Sequence, residues 1–170
     1  MVVTFYNSEA EAGADAQALG LREKVLCFVY HGQSVLVFDH ADVPDAGVQV
    51  PAGGVEAGET PAEAARRELW EESGLTLSTS HFLAAYRWEL QLPERFTRQV
   101  CYAFAFAAPD DLPQTWIQHA DDHRFAFRWA DLRQPELGWE MDAALPHLHS
   151  YLAESHALNQ HDPNRSLAHD

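Results

Sequence analysis

Between Gly53 and Leu75 the chain sets a glycine, five residues, Glu59, seven residues, and then the run Arg67-Glu68-Leu69-Trp70-Glu71-Glu72-Ser73-Gly74-Leu75. With ordinary residue usage, a match to that many fixed polar, glycine and apolar positions arises by chance roughly once in 10⁹ starts. The stretch predicts its own local structure. Thr60, Pro61 and Glu63 supply an N-cap, a first-turn proline and the carboxylate of a capping box, so a helix should start at about Pro61. Gly74 stands where a helix ends in a left-handed residue, which puts the last helical residue at about Ser73. At roughly 100° per residue, Glu68, Glu71 and Glu72 fall within about 100° of one another. Ala62, Ala65 and Leu69 lie to one side of this stripe, small enough for the helix to rest close on a sheet.

Carboxylates at these offsets repel, and an ordinary solvated helix would intersperse lysines among them; this one has none. A hard divalent cation such as Mg²⁺, which takes oxygen ligands and keeps room for substrate phosphates, resolves the repulsion. Just upstream, Val50-Pro51-Ala52-Gly53-Gly54 is a tight glycine-bearing turn whose backbone can approach other groups closely and offer carbonyls to a cation.

The order and spacing of Gly53, Glu59, Arg67, Glu68, Glu71, Glu72 and Gly74 resemble the box of the Nudix hydrolases without a gap or substitution. The resemblance implies an α/β fold, a Nudix-type α/β/α sandwich with a mixed β-sheet. It implies hydrolysis of a nucleoside diphosphate linked to another moiety, with water attacking phosphorus and Mg²⁺, or Mn²⁺ in its place, as cofactor. Carried onto this chain, Glu68, Glu71 and Glu72 would be metal ligands and catalytic residues, joined by the backbone carbonyl of Ala52. Arg67 would be a structural member of the catalytic box, paired with Glu59 or Glu71. The Pro-Ala-Gly form of the loop resembles that of nucleotide-sugar pyrophosphatases, yet nucleotide sugars, oxidised nucleoside triphosphates and capped RNA ends all stay open as substrates.

Family members take their general base from the box or from a later loop. That loop here reads Gln118-His119-Ala120-Asp121-Asp122-His123, in which Asp121 or Asp122 could serve; Asp122 is the base we expect. His119 and His123 would form a metal pair only if this segment were helical. Arg95 and Arg98, with Arg87, are concentrated around Trp88 to Glu94 in an otherwise acid-rich chain, and are the expected substrate-binding phosphate anchors. Among the aromatics, Tyr86, Trp88, Trp116, Phe125 and Phe127 are candidates to stack a base, although most should be core. Trp70, about 200° from Glu68, is free to cover a sheet edge or a partner surface.

The net charge of -15 argues against long nucleic acid as a partner and is compatible with a small, metal-complexed phosphate. No apolar run approaches the length that crosses a bilayer, and the N-terminus lacks a secretory pattern. A cytoplasmic protein with no membrane partner is expected, and a homodimer is one assembly open to it. Cys27 and Cys101 sit in apolar strand-like runs, as buried reduced thiols do.

Outside the box, strands are expected over Glu23 to Tyr30 and Ser34 to His40 as a hairpin about Gly32, then Val48 to Val50, His81 to Leu92, Gln99 to Ala107 and Phe125 to Trp129. A helix fits Met141 to Ala153. This divides the chain into an N-terminal segment (1–21, with a short helix or loose stretch at Ser8 to Leu19), a Nudix domain (22–155) and a disordered tail (156–170). Two other readings remain: a ligand sensor or regulator on the same fold without turnover, and an isomerase, for which neither cysteine is clearly placed.

Overall fold

The computed structural model describes residues 1–160. In chain order the elements are β1 (Val2–Phe5), α1 (Glu9–Leu19), β2 (Arg22–His31), β3 (Ser34–His40), a 3₁₀ turn (Pro44–Ala46), β4 (Val48–Gln49), β5 (Ala52–Gly54), α2 (Pro61–Ser73), β6 (His81–Gln91), β7 (Phe96–Ala107), β8 (Thr115–Ala120), β9 (His123–Asp131) and α3 (Leu145–Gln160). The strands form one sheet in the order β1-β6-β7-β2-β3-β9-β8, with β4 on β3 and β5 on β2. The β2–β7 pair is parallel and its neighbours are antiparallel, so the sheet is mixed.

Alternation along the central strands sorts their side chains into two cores. Val25, Cys27, Val100 and Tyr102 face one side with α1 and α2, through Ala12, Ala16, Ala64, Ala65 and Leu69. Leu26, Phe28, Cys101 and Ala103 face the other side, where Ala144 and Leu148 cover them. Period-two strands between two helical layers make the α/β/α sandwich. Alanines on α2 let it lie close to the sheet: the Cys27 Sγ reaches the Ala65 carbonyl at 3.2 Å. Both cysteines are free and buried, and burial raises both thiol pKa values, that of Cys101 to about 12.

The expected hairpin about Gly32 is present, with Tyr30 opposite Val35 and Gly32 at a φ of 57°. Helix α2 has the expected bounds. Its Thr60 hydroxyl accepts from the Glu63 N–H at 3.2 Å, and Gly74 closes it at a φ of 79°. Several elements differ from expectation. Residues 1–21, set apart by the sequence, build β1 onto the edge of β6 and bury Ala12 and Ala16 of α1 in the first core. Residues 118–120, read as loop, finish strand β8, an edge strand exposed on alternate residues. The last helix starts at Leu145 because Pro146 belongs in a first turn, and it continues to Gln160, past the boundary expected at Ser155. The rest of the expected tail, 161–170, lies outside the described residues. No helix among the described residues is long and apolar enough to cross a membrane.

Candidate active site

The centre of the site is the contact between α2 and the loop that β5 closes. Strand β5 pairs with β2, Ala52 opposite Leu26 and Gly53 opposite Val25, which holds the glycine turn flat beneath the helix. Glu68 fills the space over Gly53: a Cβ there would stand 2.1 Å from the Glu68 Cδ, so only glycine admits the carboxylate. One turn on, Glu72 Oε1 accepts the Ala52 N–H at 3.0 Å.

Both carboxyls are poorly solvated. Burial pushes the Glu72 pKa up to about 8; the Ala52 N–H and the Lys24 charge oppose that rise, and the Glu68 and Asp121 charges reinforce it. Burial also raises the Glu68 pKa, against the pull of Arg67. Glu71 is the most open of the three, its side chain 44% exposed.

Arg67 braces this arrangement. Its Nε and Nη2 donate to the two oxygens of Glu59 at 2.7 and 2.9 Å, and Nη2 also donates to the Gly54 carbonyl at 2.8 Å. Its Nη1 donates to Glu68 at 2.8 Å and to Glu71 at 3.2 Å. Glu59, which also accepts the Glu56 N–H at 3.0 Å, is held down to a pKa of about 2, chiefly by its hydrogen bonds from Arg67. The expected pairing of Arg67 with Glu59 or Glu71 is thus a bond to both, and the guanidinium ties the loop to the helix.

The later loop is the tip of a hairpin. Ala120 pairs with His123, leaving Asp121 and Asp122 as the two turn residues, both left-handed at φ of 49° and 61°. Strand β8 packs on the end of α2, where Trp116 Nε1 donates to the Ser73 carbonyl at 3.0 Å and Gln118 lies against Gly74. This carries the tip toward the box. Asp121 is a tip acid whose charge reaches Glu68 and Glu72; Asp122, the expected base, is the turn residue beside it. His119 and His123 stand on opposite strands of the hairpin instead of one helical face.

A cavity of about 300 Å³ lies on the α3 side of the sheet, lined among others by Arg22, Lys24, Trp88, Arg95, Trp139 and Glu140. The Arg22 guanidinium lies beside Gly54, and the Lys24 charge reaches Glu72, so the cavity borders the box. Glu140 is 1% exposed and accepts from Lys24 Nζ at 3.4 Å and from Gln99 Nε2 at 3.2 Å. The buried Trp88 indole N–H has no hydrogen-bond partner among the described residues. Arg95 lines this cavity. Arg98 does not: it lies on β7 between Thr97 and Gln99, which line it, and alternation turns it to the other face. Of the candidate stacking aromatics only Trp88 lines the cavity; Phe127 is core and Trp116 stacks on it at 5.1 Å between ring centres. Arg22, Trp139 and Glu140 were not singled out from sequence, and Trp139-Glu140 in a loop carried no period that could have marked them.

The NUDIX domain model matches residues 20–151. Phosphatase NudJ of Escherichia coli K12 is 41% identical over 64 residues, which are 38% of this chain and 42% of NudJ, so the match spans less than half of that relative's length. The E. coli dihydroneopterin triphosphate pyrophosphohydrolase superposes with a TM-score of 0.56 and 25% identity over 72% of this chain and 91% of its own. A MutT NUDIX hydrolase from Burkholderia pseudomallei superposes with a TM-score of 0.60 and 21% identity over 74% and 96% of the two chains. With the domain model spanning well over half of the 170 residues, around a box that is complete in sequence and assembled in space, the chain belongs to the NUDIX domain family.

Proposed function

We propose that the protein hydrolyses the diphosphate linkage of a nucleoside diphosphate joined to another group, with water attacking phosphorus and Mg²⁺, or Mn²⁺, as cofactor. The observation that carries this reading is the Glu68–Glu72 pair, two poorly solvated carboxyls pressed on the Ala52-Gly53 turn, with Glu72 raised to about pH 8 by burial. Such a donor set suits a hard divalent cation: its ligands are oxygens, and a bound cation would offset the cost of ionising Glu72 where it is buried. Glu68, Glu71 and Glu72 would hold the ion together with the Ala52 carbonyl. When bound, it neutralises the diphosphate and acidifies the attacking water.

The chain's own groups divide the remaining work. Arg67 keeps the glycine turn on the helix and so positions Glu68. Asp121 accepts the water proton as the water oxygen bonds to phosphorus, while the bridging P–O bond breaks and its electron pair leaves on the departing phosphate oxygen. The influence of Asp121 on both buried glutamates supports it over Asp122. Arg22, Lys24 and Arg95 offer cationic contacts to phosphate along the cavity wall. The unpartnered Trp88 N–H and the Glu140 carboxylate offer a donor and an acceptor to the polar edge of a nucleoside, with the Trp139 ring at the same wall. The names of the similar proteins, a phosphatase and a triphosphate pyrophosphohydrolase, agree with phosphoanhydride chemistry.

The test is turnover of a panel of nucleotide sugars, dinucleoside polyphosphates and nucleoside triphosphates with Mg²⁺ in isotopically labelled water. Label in a phosphate product of the wild type, with loss of turnover in Glu72→Gln, is the expected result. Tight ligand binding without turnover by the wild type would overturn it in favour of a sensor on the same fold.

A further inference from the structure

The hairpin that brings Asp121 to the box also brings His123 to β3. The β3–β9 register sets His40 opposite Phe125, and the Ala41 N–H donates to the Arg124 carbonyl at 2.9 Å, so the end of β3 is fastened to the start of β9. The His40 and His123 rings meet edge to face with centres 4.6 Å apart, each packed near the Phe125 ring. Asp42, two residues past His40, is fixed from the same strand. Its Oδ1 accepts Arg124 Nε at 3.1 Å and Nη2 at 2.8 Å, and its Oδ2 accepts the Arg124 backbone N–H at 3.0 Å. Ligand atoms of His40, Asp42 and His123 all lie within 4.8 Å of one another. The Nδ1 of His40 is buried and has no hydrogen-bond partner among the described residues.

The geometry points to a second cation site at His40, Asp42 and His123, built from none of the box residues and selective for a borderline divalent transition ion such as Zn²⁺. Three observations carry it. The cluster offers two imidazole nitrogens and one carboxylate, a donor set that suits Zn²⁺, Ni²⁺ or Cu²⁺ and not the all-oxygen preference of Mg²⁺. The carboxylate is already oriented by an arginine fork, the kind of outer support that fixes a metal ligand, and Oδ2 keeps lone pairs beyond its one backbone bond. Strand pairing holds the backbone of His40 and His123, and the bonds from Arg124 hold Asp42, so the ligands need no folding step to come together. Three protein ligands leave a further position for water or a ligand group. Because His123 directly follows the Asp121-Asp122 turn, an ion here would staple the base of that turn to β3.

The chain has ten histidines, so zinc stoichiometry alone does not identify the site. The test is calorimetric titration of Zn²⁺, in excess Mg²⁺, into the full chain carrying Glu68→Gln and Glu72→Gln, which removes the box carboxylates. A single zinc equivalent is expected, with affinity weakened by about tenfold or more on adding His40→Ala or His123→Ala. His123 is exposed, so its loss leaves the fold intact and makes it the cleaner variant. A Co²⁺-loaded sample should show visible absorption bands that shift in the same variants. Zinc binding of unchanged affinity in both alanine variants, or no zinc binding at all, would overturn the site. Neither result bears on diphosphate hydrolysis, which is read separately from turnover by the unmodified box.

Discussion

Gly53 is the glycine of the box over which a carboxylate rests. An alanine there would set its Cβ against the end of the Glu68 side chain, 2.1 Å from Cδ, and the carboxylate would be displaced before the backbone. Gly53→Ala should therefore keep its melting temperature within about 2 °C while kcat/KM falls about a hundredfold, as ångström-scale misplacement of a catalytic group does. Glu72 makes a prediction in the opposite direction. Its carboxyl ionises near pH 8 in the fold and near about 4.3 in the unfolded chain. The unfolded state therefore loses its proton first on raising the pH. The stability tied to protonated Glu72 is full below about pH 4.3 and is lost as pH rises through 8. In chelator, the melting temperature of the wild type should drop over that window relative to Glu72→Gln, and Mg²⁺ binding at pH 7 should release protons, seen as a buffer-dependent calorimetric heat.

At the scale of elements, the Arg67 guanidinium ties α2 to its loop alongside the Glu72–Ala52 hydrogen bond. A lysine at position 67 could contact Glu59 or the Gly54 carbonyl but could not fork across both Glu59 oxygens. Arg67→Lys should cost about 2 kcal/mol in urea unfolding at pH 7. Glu59 is depressed to about pH 2 by this contact, so its contribution is present above about pH 4.3 and disappears as pH falls through 2; the gap between variant and wild type should close over that range. The β8–β9 hairpin carries a different signature. Two aspartates occupy left-handed turn positions that favour glycine or asparagine. Asp122→Gly should raise the melting temperature by about 2–4 °C and leave turnover unchanged, while Asp121→Asn should lose it. If Asp122→Gly is inactive and Asp121→Asn active, the roles of the two acids are reversed. The turn escaped the sequence reading because Asp-Asp is not a common hairpin pair, and because β8 is a short edge strand with polar Gln118 and His119 at its end. Helix α2 was legible to the residue, since its cap, first-turn proline and terminal glycine are all local signals.

Over the whole molecule, the sheet order decides what the elements can do together. Strand β2 lies between β7 and β3 and also pairs with β5, so it supports the box loop from one edge and lends Arg22 and Lys24 to the cavity on the α3 side. Residues 1–20 close the far edge of the sheet on β6 and cover the first core through Ala12 and Ala16. Their deletion should expose both the β6 edge and that apolar surface, giving loss of soluble protein or a melting temperature lower by about 5 °C or more in a thermal scan. The sequence treated this stretch as a separate segment because an Ala-rich helix has a weak pattern and a four-residue strand has almost none.

By itself the sequence determined helix α2, its caps and its acid stripe, because all of these follow from spacings of a few residues along one periodic element. It also contained the family, through the box. Only the tertiary structure decided that the Asp121 charge reaches Glu68 and Glu72, that Arg95 lines the cavity and Arg98 turns away, and that His123 meets His40 instead of His119. Each of those outcomes depends on strand order and register between residues tens of positions apart, where a shift of one residue exchanges the two faces of a strand.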